Sequence, residues 1–197
     1  MISFRGFCPG RRFRTARRWS NGVLRQIAPL FEGDVLNVSG WLDEDKEGGL
    51  YQDYFSKARS YSITNYGGFR GESPQTVLHL ELEADLPVAL AGCADVVFNH
   101  TTLEHVFNVQ KAAETLARVT RDIVIGVVPA AQEEHSSDSY GDYWRFMSVG
   151  LRRLFECQGL QTLLLISLPI RDCAIHHFLW PVAIRNAGVD TFQLLAA

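Results

Sequence analysis

The sequence is poor in several things, and each shortage excludes a class of protein. Its four cysteines, Cys8, Cys93, Cys157 and Cys173, are scattered, with no CxxC pair. That argues against a cysteine-held zinc site and against a disulfide-stapled secreted domain. No apolar run approaches the roughly 20 residues a bilayer-spanning helix needs. The arginine-rich start lacks an apolar stretch, so it does not read as a secretory signal, and a reducing, cytoplasmic setting is expected. There is no internal repeat or low-complexity tract, and no GxGxxG fingerprint, which counts against a nicotinamide-dependent oxidoreductase. Lysine is scarce too: three against sixteen arginines.

What is present is a globular mixture. Of 197 residues, 47% are hydrophobic and 21% charged, enough to fill a core, and the length suits one domain. The net charge of −3 makes nucleic acid an unlikely partner. The charge is uneven: seven arginines precede the first acid, Glu32, so the remainder is strongly acidic. We read residues 1–12 as a basic irregular arm and 13–197 as a single domain. Arg17, Arg18 and Arg25 are expected on the solvent face of a first helix, paired with the acidic body. No aromatic pattern interleaves the arginines as in RNA-binding modules.

Apolar residues at three-to-four spacing predict a helix over 13–31, ending near Pro29. Beyond it, short aliphatic runs at 34–39, 61–65, 76–81, 95–100 and 122–128 alternate with helical patterns at 49–58, 85–91 and 103–120. That alternation predicts βαβ units, hence an α/β three-layer, Rossmann-like sandwich around a mostly parallel sheet. A further helix is expected from Ser148, as N-cap, to a stop at Gly159. Two strand-like runs follow, 161–167 and 177–184. Only about nine residues separate them, too few for a parallel crossover, so they are expected to pair antiparallel. Pro181 sits awkwardly there, because proline gives no ladder donor.

Three stretches carry a resemblance. Residues 34–40 (DVLNVSG) look like a first strand and cofactor loop. Residues 95–106 (DVVFNHTTLEHV) resemble the fourth strand and following helix, and residues 142–154 (DYWRFMSVGLRRL) the stretch after the fifth strand, in class I S-adenosylmethionine (SAM) dependent methyltransferases. Over about residues 20–185 the chain is similar to that family. The resemblance implies a seven-stranded sheet with an antiparallel last strand, SAM as cofactor, and a small-molecule or sugar substrate. It implies cofactor contacts at Asn37, Ser39, Gly40, Trp41, Asn65, Glu81, Leu82 and Asn99. Two positions depart from the family: Asn37 and Asn65 stand where acids are usual. A competing reading is therefore a non-catalytic binding or scaffold module, its hollow filled by Trp41 or Tyr66.

His105, Glu104 and His100 are the candidate catalytic groups, since histidine titrates near neutral pH and can take a hydroxyl proton. His135, Tyr143 and Trp144 lie in a long polar loop expected to cover the substrate. The acidic run Asp43, Glu44, Asp45 and Glu47 reads as a solvated loop, the alternative being that its carboxylates help hold the SAM sulfonium cation. Some RNA-modifying methyltransferases hold magnesium through Glu-x-x-Glu-His and a later His. Thr101 replaces the first of those glutamates, so no metal is expected. With no cap domain, a partner or a homodimer could complete the substrate pocket.

Overall fold

The computed structural model describes residues 9–67, 78–138, 140–167 and 178–184, with the side chains of 9–15 and 178–184 left out of the description. Helix α1 spans Pro9–Ile27 and gives way to a 3-10 turn at Ala28–Leu30, where Pro29 ends the α ladder. It starts four residues before the expected position, with proline tolerated in its first turn, so residues 9–12 belong to it; residues 1–8 of the expected arm lie outside the described chain.

The strands are β1 (Gly33–Val38), β2 (Ala58–Asn65), β3 (Leu78–His79), β4 (Ala94–His100), β5 (Thr120–Pro129), β6 (Gln161–Ser167) and β7 (Phe178–Ile184). They lie in the order β3-β2-β1-β4-β5-β7-β6. The first five are mutually parallel, while β7 runs antiparallel to β5 and β6. Pro181 is inside β7, opposite Leu165. The β6–β7 register slips between Thr162 and Leu164. On the other side, pairing with β5 stops at Ile125↔Val182 and resumes at Val128↔Leu179, so Pro181 falls in the gap.

Side chains alternate across the sheet as the strand pleat requires. Leu36, Val38, Val97 and Val124 face one core with helices α2 (Val109–Val119) and α3 (Ser148–Glu156). Val35, Val96, Phe98 and Ile125 face the other with α1 and the aromatic trio Tyr51, Tyr54 and Phe55.

Three expected helices are shorter than their patterns. The one at 49–58 is a 3-10 turn, Tyr51–Tyr54. Asp43 accepts from the Gln52 amide at 2.8 Å and Asp45 from the Gly49 amide at 2.9 Å, so side chains take donors a helix would have used. The one at 85–91 is a turn at Val88–Leu90. The pattern at 103–120 breaks into a turn at Leu103–His105 and then α2, capped by the Asn108 side chain on the Lys111 amide at 3.2 Å. Ser148 is the first helical residue of α3 and makes no cap bond; Gly159, with φ of +78°, does end that segment. Residues 76 and 77 of the expected third strand and residue 177 of the last lie outside the described chain. Cys93 and Cys157 are free thiols; Cys8 and Cys173 fall in the undescribed segments. Among the described residues no helix is long and apolar enough to cross a membrane.

Candidate active site

A cavity of about 620 Å³ opens over the carboxyl ends of β1, β2, β3 and β4. Its size falls in the roughly 300–1,000 Å³ range of small-molecule sites. Its place, beside the first strand of an open α/β sheet, is where such folds bind ligands.

One wall is the loop after β1. Ser39, Trp41 and Asp43 all carry positive φ (61°, 46° and 60°), a strained series for residues with side chains. What holds it is local. Ser39 and Gly40 amides donate to Thr64 Oγ1 and Thr64 O at 3.3 and 3.2 Å. The Trp41 amide donates to Asn65 Oδ1 at 2.6 Å, and Asn65 Nδ2 donates to Trp41 O at 3.3 Å. Asn65 thus clamps the loop. Asn37 is buried and donates from Nδ2 to Asp43 Oδ1 at 2.7 Å. A carboxylate, supplied by Asp43, therefore stands behind Asn37. Burial raises the Asp43 pKa, opposed by donors from Gln52, Tyr61 and Asn37.

The acidic run is not a solvated loop throughout. Asp43 and Asp45 are buried. Asp45 accepts from Tyr54 Oη at 2.5 Å and from Arg25 at 3.2 Å, tying the loop to α1. Arg18 and Arg25 pair with Glu47 as expected for a solvent face. Arg17 departs from that expectation and turns inward. It donates to His100 Nδ1 at 2.8 Å, to Tyr51 Oη at 3.0 Å and to Thr101 Oγ1 at 3.2 Å.

The opposite wall is the turn after β4. His100 lines the cavity, stacked on Tyr51 at 5.1 Å. Its Nδ1 lone pair receives the Arg17 guanidinium, and burial and that charge hold its pKa well below 6.5. His100 Nδ1 is thus occupied by Arg17, and burial disfavours charging the ring. Glu104 is buried, and burial pushes its carboxyl up to about 8. Its Oε2 has no hydrogen-bond partner. His105 Nδ1 bonds Gly141 O at 2.7 Å, which places the proton there and leaves Nε2, 3.8 Å from Glu104 Oε1, with a lone pair. Burial lowers the His105 pKa. The His105 ring meets His135 and Tyr140 edge-on at 4.9 and 4.8 Å. His135 Nδ1 lies 3.0 Å from Asp142 Oδ2 and 3.2 Å from Glu133 O. Arg145 pairs bidentately with Asp142, which is held down to about 2 despite its partial burial.

Of the residues singled out in the sequence, Asn37, Ser39, Gly40, Trp41, Asn65, Glu81, Leu82, His100, Glu104, His105, His135 and Tyr143 line the cavity. Two do not line it. Asn99 is fully buried and donates to Val38 O at 2.9 Å, joining β4 to β1. Trp144 gives its indole N–H to Val106 O at 2.9 Å and pins the long loop to the chain before α2. Arg17, Tyr51 and Tyr140 also line the cavity and were missed. No local motif marks them; their approach is made by the packing of α1 and of the 130–145 loop. Tyr66 is 59% exposed at the cavity edge and does not plug it.

The sequence matches no protein-family profile and no curated protein. Solved structures are similar. A methyltransferase complex with the Haloferax volcanii Trm112 activator matches at TM-score 0.59 and 16% identity, over 89% of this chain and 94% of that one. Magnesium protoporphyrin IX methyltransferase from Synechocystis PCC 6803, with bound S-adenosylhomocysteine, matches at 0.60 and 12%, over 94% and 89%. A Burkholderia thailandensis N1-methyltransferase of 1,6-didemethyltoxoflavin, also with S-adenosylhomocysteine, matches at 0.54 and 10%, over 94% of each chain. The fold is that of the class I SAM-dependent methyltransferases.

Proposed function

We propose that the chain is a SAM-dependent methyltransferase acting on a small-molecule acceptor such as a sugar or natural-product intermediate. The observation that carries this reading is the open cavity over β1, β2 and β4, with the Gly40 loop on one wall and a histidine–glutamate cluster on the other. A scaffold module with its own rings in the hollow would lack that space. The order of the seven strands, with β7 reversed, also supports the reading.

The residues divide the work. Ser39, Gly40 and Trp41 shape the cofactor wall, and Glu44 on the same wall offers a carboxylate to a sulfonium cation. Glu81 and Leu82 take the nucleoside end, with Glu81 the charged acceptor that Asn65 cannot be. Transfer is an in-line displacement. The acceptor heteroatom bonds to the methyl carbon as the sulfur–carbon bond breaks, and that electron pair leaves S-adenosylhomocysteine neutral at sulfur. An acceptor hydroxyl passes its proton to the cluster, where His105 Nε2 holds the lone pair. His135 and Tyr143 orient the acceptor. The enzyme is cytoplasmic in this reading, and a second copy is one way to cover the open mouth of the cavity.

Calorimetric titration of the full chain with SAM and with S-adenosylhomocysteine tests it. Both should bind, and ligand at a hundredfold above Kd should stabilise the fold by about 2.7 kcal/mol. No heat and no thermal shift at millimolar ligand would overturn the assignment.

A further inference from the structure

Three side chains at the acceptor end form a group that acid–base chemistry alone does not require. Glu104, His105 and His135 each offer one ligand atom, and these atoms lie within 4.8 Å of one another. Glu104 is 1% exposed, yet its Oε2 has no hydrogen-bond partner. A buried carboxylate oxygen left without a donor is costly unless something positive meets it.

The two imidazoles are arranged for the same visitor. Both have Nδ1 engaged by an oxygen acceptor: Gly141 O at 2.7 Å for His105, Asp142 Oδ2 at 3.0 Å for His135. Both Nε2 atoms are thereby left with lone pairs. Orientation of a ring by a carbonyl or carboxylate on its far nitrogen is the usual outer support of a metal-bound histidine. Asp142 is in turn fixed by Arg145, so the support extends a further step outward. All three residues line the cavity, which leaves coordination positions open toward it.

We propose that Glu104, His105 and His135 bind one first-row divalent transition cation, with its open positions directed at the acceptor. Two imidazoles and one carboxylate suit zinc, iron, cobalt or manganese better than magnesium, which prefers oxygen ligands. Bonds of about 2.0–2.2 Å would draw the three donor atoms to roughly 3.4 Å apart, a modest closure of the group. This proposal departs from the sequence-based expectation of no metal: Thr101 spoils the local stretch, but His135 arrives from a different loop. The cation's use rests on the methyltransferase reading: it would hold and polarise the acceptor oxygen, lowering the hydroxyl's pKa in place of the His105 base, whose Nε2 it occupies. Its binding does not rest on that reading.

The test uses the full chain, stripped with a chelator and titrated calorimetrically with Zn²⁺ without SAM. One equivalent should bind, with affinity falling at least tenfold in His105→Gln and in His135→Gln, while thermal melting and SAM titration stay as in the wild type. Mg²⁺ at the same concentration should give no heat. No Zn²⁺ binding by the wild type, or wild-type Zn²⁺ affinity in either variant, overturns the site; Mg²⁺ bound as tightly as Zn²⁺ overturns the choice of cation. Should either variant misfold, imidazole nitrogen resonances of the wild type decide. Zn²⁺ must shift the Nε2 signals of two histidines, and unshifted signals reject the proposal. Loss of SAM binding with Zn²⁺ binding intact would count against the methyltransferase reading alone.

Discussion

A methyl group added at Gly40 would stand 2.5 Å from Asn37 Nδ2 and 2.9 Å from Ile63 Cγ2. Asn37 cannot withdraw without losing its bond to buried Asp43, so the loop would have to shift. Gly40→Ala should weaken SAM binding more than tenfold; calorimetry giving wild-type affinity would show that the loop does not shape the cofactor wall. Arg17 is a second residue where a single side chain sets local chemistry. Arg17→Met removes donors to His100, Tyr51 and Thr101. It should destabilise the protein by about 1–3 kcal/mol in urea unfolding. Because the Arg17 charge contributes to the depressed His100 pKa, that pKa should also rise toward 6.5 in an NMR titration. An unmoved pKa would leave burial as the sole cause.

The segment joining β1 to β2 is an element held by acids rather than by a helix. Its Asp45 carboxyl is buried at a junction with Tyr54, Arg25 and the amides of Glu47 and Gly49. Those donors keep its pKa below the ordinary 3.8 despite burial. A depressed folded pKa means the unfolded chain binds the proton more readily. Its contribution to stability is therefore complete above the unfolded value and is lost as pH falls through the folded one. Unfolding free energy should drop more steeply below pH 4 in the wild type than in Asp45→Asn, as followed by urea denaturation at each pH. Parallel slopes would remove Asp45 from the acid response. The same element shows why the sequence misleads here. Apolar spacing at 49–58 fits a helix, but Asp43 takes the Gln52 amide nine residues on and Asp45 the Glu47 and Gly49 amides, and no apolar period records such bonds.

At the scale of the whole molecule, the two cores on opposite faces of the sheet hold the strand ends at fixed positions beneath the cavity. Phe155 is fully buried among Leu116, Leu151 and the sheet. Phe155→Ala should cost about 3–5 kcal/mol, with an equal loss followed by far-ultraviolet dichroism and by intrinsic fluorescence if the fold is cooperative. A loss below 1 kcal/mol would mean that α3 is peripheral to the core. Much of this architecture was legible: the aliphatic runs at 34–39, 95–100 and 122–128 each correspond to a strand, because a parallel strand covered on both faces must be apolar throughout. The β3 region, with its two described strand residues, and the capped start of α2 were less so, because edge pairing and side-chain caps leave little periodic signal.

Local physics in the chain was sufficient for the alternation of strand and helix, for the glycine turn after β1, and for placing Glu104 and His105 after β4, since each depends on residues adjacent in sequence. The inward turn of Arg17, the clamp of Asn65 on Trp41, and the meeting of His135 with Glu104 and His105 join residues 24 to 84 positions apart in two cases and about 30 in the third. No spacing rule encodes such contacts; they arise only when the packed sheet brings separate loops to the same end of the molecule.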